Sequence, residues 1–389
     1  MQGAAGPVPA DEWNARSEKW NANRRTALVL SGGIAKGVYE AGVVKSLLAQ
    51  GYAFDVICGT SIGALNGAFI AQGDDVELNH IWATLADKPI LKLVPQAQLL
   101  YDAYEKLTSG TFILTKVIEV LSDVERAWGH GSLLALMGAF DPTGAQDVLS
   151  VLQLGRIRTP LMCAATNVDT GRAEAFYASP SGNAPPVFDP LSQVPVNTLQ
   201  PANPAHVQIY PEVVRASGAL PGAFAPVALP GFGYPPTDPS TPYRYSDGGV
   251  ANNTPVTLAR KLGVTDMICV FLSTGTEVTS RAGNLIAELE NLYAANQNQL
   301  LDDELILAIG ARNSLGRNEG NISQIEATPA NRVVNIYEVR PTTTIPVPEL
   351  GFNDQVALDE SFAQGVRDGS KPPIPYSPPR TYPLRPNAT

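Results

Sequence analysis

The sequence predicts an α/β fold organised on a mostly parallel sheet, and three observations lead there. Residues 26 to 73 alternate short apolar runs with longer helical segments, in the order strand, helix, strand, helix. The strands are continuously apolar, as strands covered on both faces are. Similar runs return late in the chain, at 266 to 274 and 332 to 341, so the sheet gathers strands from distant parts of the sequence.

Taken in order, residues 1 to 25 read as a polar leader. "TALVL" (26 to 30) is a buried strand closed by Ser-Gly-Gly, and 38 to 50 is a helix with Gly51 as its stop. "FDVICG" is the second strand, and "IGALNGAFIAQG" a second helix rich in small residues. Residues 74 to 150 show no clear strand. Segments such as "VELNHIWATLA" and "TFILTKVIEVLSDVERAW" are amphipathic, which predicts a helical insertion that either serves as a lid over a site or extends the core. Residues 160 to 179 form a strand, a turn at Asp169-Thr170-Gly171 and a second strand. A Pro-, Asn- and Ser-rich loop is expected over 180 to 205, and "PEVVRASGALPGAF" starts helical and breaks at Pro221. "RYSDGGVANNTPV" is a strand running into a glycine turn. A mostly helical stretch (282 to 312), a late strand ("RVVNIYEVRP"), a late helix ("NDQVALDESFAQGVRDG") and a proline-rich tail (370 to 389) complete the chain.

Composition narrows the function. The formal net charge is −10, so the average surface does not track phosphate backbones, and nucleic acid is excluded as the expected partner. That charge makes the average surface repel an anionic membrane, where only a local patch could dock, while neutral or zwitterionic lipid remains open to transient contact. The cysteines Cys58, Cys163 and Cys269 sit in apolar runs with no metal-type spacing and read as buried thiols. Residues 1 to 20 lack the apolar h-region of a signal peptide, and no run reaches the ~20 apolar residues of a membrane span. The expected location is the cytoplasm or the periphery of a membrane, with export by another route left open. Oligomeric state is not legible.

Gly59-x-Ser61-x-Gly63 lies between a predicted strand and a predicted helix, the context in which such a pattern acquires meaning. A hydroxyl presented from a sharp strand-to-helix turn needs neighbours without bulk two places either side. Ala64, Gly67 and Ala68 then let the helix lie close on the sheet. The free N–H groups at the helix start favour negative charge developing at Ser61.

A serine nucleophile needs a base. The chain has three histidines, His80, His130 and His206, and none follows position 206. A Ser-His-Asp arrangement would have to use His206. The better candidate is Asp247 in "SDGGVANN", where Gly248 and Gly249 let the backbone turn away from the carboxylate. A plain Asp-Gly turn is the competing reading. The third element is "SGGIAKG" (31 to 37). From Gly32 the dinucleotide fingerprint fails at Ile34, and the phosphate-loop pattern fails after Gly37, where Val38-Tyr39 follow. What remains is an oxyanion hole with backbone donors on Gly32, Gly33 and Ile34.

"LVLSGGIAKGVYEAGV", "GTSIGALNGA" and "SDGGVANNTPV", in that order, resemble the patatin-like phospholipases, as do the connecting blocks "AATNVDTGRAEAF" and "RASGALPGAFAPV". The resemblance covers residues 26 to about 275 and implies a three-layer α/β/α sandwich with a catalytic domain over 26 to 365. It implies a metal-free, cofactor-free Ser–Asp dyad acting on acyl lipid esters, with Ser61 as nucleophile and Asp247 as general base. The Gly32–Gly37 loop then supplies the oxyanion hole. Gly37, Gly59, Gly63, Gly248 and Gly249 support the motifs, and Lys36 holds the place of the family's arginine or lysine. One position departs: Ile34 stands where the family has a third glycine, and a β-branched residue resists positive φ. The expected activity is therefore a serine acyl hydrolase. The alternatives are an esterase using His206 and an inactive lipid-binding protein on the same scaffold.

Overall fold

The computed structural model describes residues 25–87, 92–93, 140–141, 143–185, 194–221, 224–233, 235–274, 334–348 and 351–376. Expectations for the leader, His130, the amphipathic run after residue 110, the stretch 282 to 312 and the end of the tail fall outside these residues.

The chain opens with β1 (Thr26–Leu30) and a 3-10 turn (Ile34–Lys36), then α1 (Gly37–Ala49), β2 (Val56–Thr60), α2 (Ile62–Gln72) and α3 (Asp75–Ala83). Next come β3 (Lys92–Leu93), β4 (Phe140–Asp141), α4 (Thr143–Leu149), β5 (Leu161–Asn167), β6 (Arg172–Ala178) and β7 (Val196–Leu199). α5 (Pro204–Ser217), β8 (Val227–Leu229) and β9 (Tyr243–Asp247) lead to α6 (Val256–Lys261) and β10 (Asp266–Val270). β11 (Asn335–Val339), α7 (Gln355–Gly369) and β12 (Ile374–Pro375) follow.

Among the described residues the main sheet has ten strands, with the path β12-β11-β10-β1-β2-β5-β6-β7 and with β9 joining β5 to β8. The central run β11-β10-β1-β2-β5 is parallel throughout. Alternate residues of its strands feed two separate cores. Leu28, Leu30, Ile57, Leu161, Ile268 and Val270 face one cluster, shared with α1, α2, α3 and α5. Ala27, Val29, Cys58, Met162, Met267 and Cys269 face the other, where α6 supplies Val256, Leu258 and Ala259. Strands dressed with apolar groups on both sides, and helices on both faces, make this a mostly parallel α/β/α arrangement. The three cysteines are free and buried, and burial pushes the thiols of Cys58 and Cys163 up, the latter to about 12.

Four local differences from the sequence reading have physical causes. β3 and β4 form a two-stranded antiparallel pair inside the region read as wholly helical; two-residue strands leave no periodic signal. β7 lies in the stretch read as loop, where one short strand pairs in parallel with β6 among turn-forming residues. α5 begins at Pro204, seven residues before Pro211, because Asn203 caps it by accepting the Ala205 N–H and proline is well tolerated at the first position. It also ends at Ser217, ahead of Pro221. Pro211 is carried inside the helix, which a proline-as-breaker rule does not anticipate.

α1 and α7 cross with their backbones in contact. A Cβ on Gly365 would collide with the Tyr39 carbonyl oxygen, and one on Gly42 with that of Phe362. Glycine is required there by approach, not by dihedral. Gly365→Ala should therefore destabilise the protein by about 1–3 kcal/mol, despite the better helix propensity of alanine. The measurement is the urea midpoint, with Gly155→Ala as control, since nothing lies within 4 Å of a Cβ at Gly155.

Candidate active site

The site forms where two strands meet head to head on one edge of β5. Ile57–Thr60 of β2 pair in parallel with Leu161–Ala164. Tyr245–Asp247 of β9 pair antiparallel with Asn167–Ala165 along that same edge. β2 thus ends opposite Ala164 and β9 opposite Ala165, two consecutive residues. The next residue after β2 is Ser61, and the last of β9 is Asp247. A separation of 186 positions in sequence becomes a hydrogen bond: Ser61 Oγ donates to Asp247 Oδ2 at 2.6 Å.

Ser61 is one of two non-glycine residues with positive φ among those described, with φ 55° and ψ −126°. The turn reverses the chain directly into α2, whose Ala64 and Leu65 N–H groups bond back to the Ser61 carbonyl. Gly59 and Gly63 are needed for clearance. A Cβ on Gly63 would stand 2.6 Å from the Leu30 carbonyl oxygen, and one on Gly59 would collide with the Gly63 carbonyl. The Ser61 N–H donates to Ser217 Oγ at 3.0 Å.

Asp247 is fully buried, and Ser61 is 5% exposed. The Asp247 carboxylate accepts from Ser61 on one oxygen and, on the other, from the Gly249 N–H at 2.6 Å. Burial pushes this carboxyl up to about 7, while the two hydrogen bonds hold it back from rising further. Gly248 allows the chain to turn beneath the carboxylate, because a Cβ there would strike the Ala164 carbonyl.

The glycine loop lies beside this pair. Gly32 differs from expectation: its N–H donates to the Asn253 carbonyl at 3.0 Å, so it fastens the loop and is not a free donor. Its Cβ position lies 3.1 Å from that of Ser61. The N–H groups of Gly33 and Ile34 donate to no group among the described residues. Ile34 has φ 54°, the glycine-like backbone, in spite of its branched side chain. An L-residue there costs roughly 1–2 kcal/mol. Ile34 nevertheless lines the apolar cleft, which gives its side chain a place. The Lys36 N–H closes the turn on the Gly33 carbonyl, and Gly37 leaves room for Ile62.

Under the loop sits a residue with no sequence signal, Glu40. It is fully buried and accepts the Ser31 N–H at 2.7 Å and Asn66 Nδ2 at 3.1 Å. Burial drives its carboxyl well above the usual range, against those two bonds. Asn66 in turn accepts from Trp82 Nε1 at 3.1 Å. The loop, α2 and α3 are thereby tied into one buried network.

Ser61 and Asp247 open onto a cleft of about 1090 Å³, solvent at its mouth included. Its walls are apolar: Leu65 and Phe69 of α2, Trp82 of α3, Val148 of α4, Val214 of α5, and Phe352, which stacks on Trp82. The edges of the insertion therefore face the site. Among the described residues the one basic group on the wall, Arg215, is paired with Glu212.

His206 is placed elsewhere. Its Nδ1 accepts the Gln200 N–H at 3.0 Å and its ring packs on Phe232. Ser217, which touches Ser61, lies at the far end of the same helix, about 16 Å away at roughly 1.5 Å per residue. A Ser-His-Asp arrangement through His206 is overturned by that separation. His80 lies on exposed α3 surface. Among the described residues, no three His, Cys, Asp or Glu side chains are grouped to hold a metal, and no helix is long and apolar enough to cross a membrane.

A lysophospholipase nte1 from Aspergillus terreus is 51% identical over 53 residues, which are 14% of this chain and 4% of that protein. A patatin-like phospholipase domain-containing protein from Chaetomium globosum is 49% identical over 57 residues, 15% of this chain and 7% of that one. The chain thus matches only a small part of the length of these curated relatives. Among solved structures, VipD from Legionella pneumophila covers 89% of this chain and 67% of its own, at 13% identity and a TM-score of 0.34, too loose a likeness to argue from. The family model for patatin-like phospholipase matches residues 28–260, from β1 through α6, and includes both Ser61 and Asp247. This chain belongs to the patatin-like phospholipase family.

Proposed function

We propose that this protein is a serine lipid acyl hydrolase that cleaves carboxylic ester bonds through an acyl-enzyme on Ser61, with Asp247 as general base. The observation that carries the reading is the 2.6 Å hydrogen bond from Ser61 Oγ to Asp247 Oδ2 at the head of an apolar cleft. The cleft suits an acyl chain. Family membership, and the lysophospholipase name of the Aspergillus relative, support a lipid ester as substrate.

In the first half-reaction, Ser61 Oγ attacks the ester carbonyl carbon as its proton passes to Asp247 Oδ2. The carbonyl oxygen becomes an oxyanion, for which the N–H groups of Gly33 and Ile34, which have no acceptor among the described residues, and the start of α2 are the candidate donors. The tetrahedral species collapses, the ester C–O bond breaks, and Asp247 gives its proton to the departing alcohol, returning to the carboxylate form. Water then attacks the acyl-enzyme, gives a proton to Asp247, and the fatty acid leaves as that proton returns to Ser61 Oγ. No histidine enters. The positive φ of Ile34 favours this reading over an inactive scaffold, because the residue adopts the backbone its branched side chain was expected to resist.

Ser61→Ala and Asp247→Ala should each abolish turnover of a chromogenic acyl ester in folded protein, and Asp247→Asn should lower kcat by about 10²–10⁴-fold. Wild-type turnover in either alanine variant would end the proposal. A fluorophosphonate probe should label wild type and not Ser61→Ala. A panel of short and long p-nitrophenyl esters beside phosphatidylcholine and its lyso form would define the acyl and head-group preference.

The buried carboxyl also sets pH behaviour. Asp247 accepts a proton only when ionised, so kcat/KM should rise as pH climbs through about 7. Stability should move the opposite way. The folded state holds this proton more tightly than an unfolded carboxyl, which titrates near about 3.9. The resulting stability is whole below that value and is lost as pH rises to about 7. Asp247→Asn cannot ionise. Its melting temperature relative to wild type should therefore climb across this window and level off above it.

A further inference from the structure

We propose that Ser217 is a positioning residue: its hydroxyl, with the Ala219 carbonyl two residues on, clamps Ser61 and Asp247 to one turn of chain at the end of α5. The inference extends the reading above and rests on it for its kinetic consequences.

The junction on β5 leaves a gap in the ladder. β2 stops opposite Ala164 and β9 stops opposite Ala165, so the Ser61 N–H, turned aside by its positive φ, has no strand to bond. A buried N–H without a partner costs about 1–3 kcal/mol. Ser217 is fully buried at this gap. Its Oγ accepts the Ser61 N–H at 3.0 Å and donates its own proton to the Ala164 carbonyl at 2.6 Å. One hydroxyl thus serves as acceptor for the elbow and donor to the strand, which alanine cannot do.

The same turn holds the other partner. The Ala219 carbonyl accepts the Asp247 N–H at 2.8 Å and the Ser246 hydroxyl at 2.6 Å. Ser61 and Asp247 are therefore fixed to a common reference, and the spacing between Oγ and Oδ2 depends on it. Gly218, Ala219 and Leu220 also form part of the cleft wall. A chain lying in the cleft presses on the segment that aligns the pair. Ser217 itself never meets the substrate; it acts through Ser61.

The test compares wild type with Ser217→Ala and Ser217→Cys, the latter keeping a side chain able to bond weakly. In Ser217→Ala, kcat should fall about 10–100-fold, as small misplacements of reacting groups do. KM should stay within about twofold, because the cleft walls remain. The pH midpoint should move up, since a weaker Ser61 bond no longer holds the Asp247 carboxyl down. Ser217→Cys should fall between the two. Unchanged kcat and pH midpoint in Ser217→Ala overturn the proposal. If Ser217→Ala does not fold, Ser217→Cys carries the same comparison, and wild-type kcat and midpoint in it overturn the proposal equally. Amide exchange separates this inference from the enzymatic one. In wild type the Ser61 N–H should exchange as slowly as the β2 amides, and it should be exposed in the variants. A wild-type Ser61 amide exchanging at loop rates refutes the clamp. Slow exchange, with no ester turned over, keeps the clamp and refutes the hydrolase reading.

Discussion

One strand edge governs this molecule. β5 lends a single edge to two strands that arrive from opposite directions, and their ends fall on the adjacent residues Ala164 and Ala165. Because ladder pairing specifies register residue by residue, the sheet brings Ser61 and Asp247 to adjacent positions, and the turn at the end of α5 bonds to both. Reacting groups placed by strand register are held more exactly than groups placed on free loops. The short 2.6 Å contact between them is the local result of that global constraint.

The same region concentrates features that oppose folding. Ser61 and Ile34 both adopt positive φ, at about 1–3 kcal/mol each in typical cases. Asp247 and Glu40 bring carboxyls into places without water. Each is offset by something specific. Ser61 gains the Ser217 bond, Asp247 the Gly249 N–H, and Glu40 two donors from the loop and from α2. The two apolar cores on either face of the sheet provide the stability that lets such a site persist. A carboxyl near neutrality is also what a general base at neutral pH requires, so the burial that weakens the fold above pH 4 equips the proposed chemistry.

The cleft extends the same logic outward. Helices on either side of the elbow turn apolar side chains toward one space, and among the described residues the ionisable groups on its wall are Asp247 and Arg215, the latter paired with Glu212. A mostly apolar groove with Ser61 at its head suits the proposed substrate, an acyl chain ending at an ester carbonyl.

By itself the sequence determined the parallel sheet, because "TALVL", "VICGT" and "DMICV" are apolar on both faces, and it marked the elbow, because a glycine stands two places to either side of Ser61. It marked Asp247 through resemblance more than through its own chemistry, since an Asp-Gly pair reads equally well as a turn. It did not disclose that the Gly32 N–H is spent on Asn253, that β7 exists, or that Glu40 and Ser217 brace the loop and the elbow. Those facts are made of contacts between distant positions. Local pattern reports what a residue prefers along its own strand or helix. Which hydroxyl fills a gap in a ladder, or which carboxyl lies under a loop, is decided only when the sheet brings separate segments to the same few ångströms.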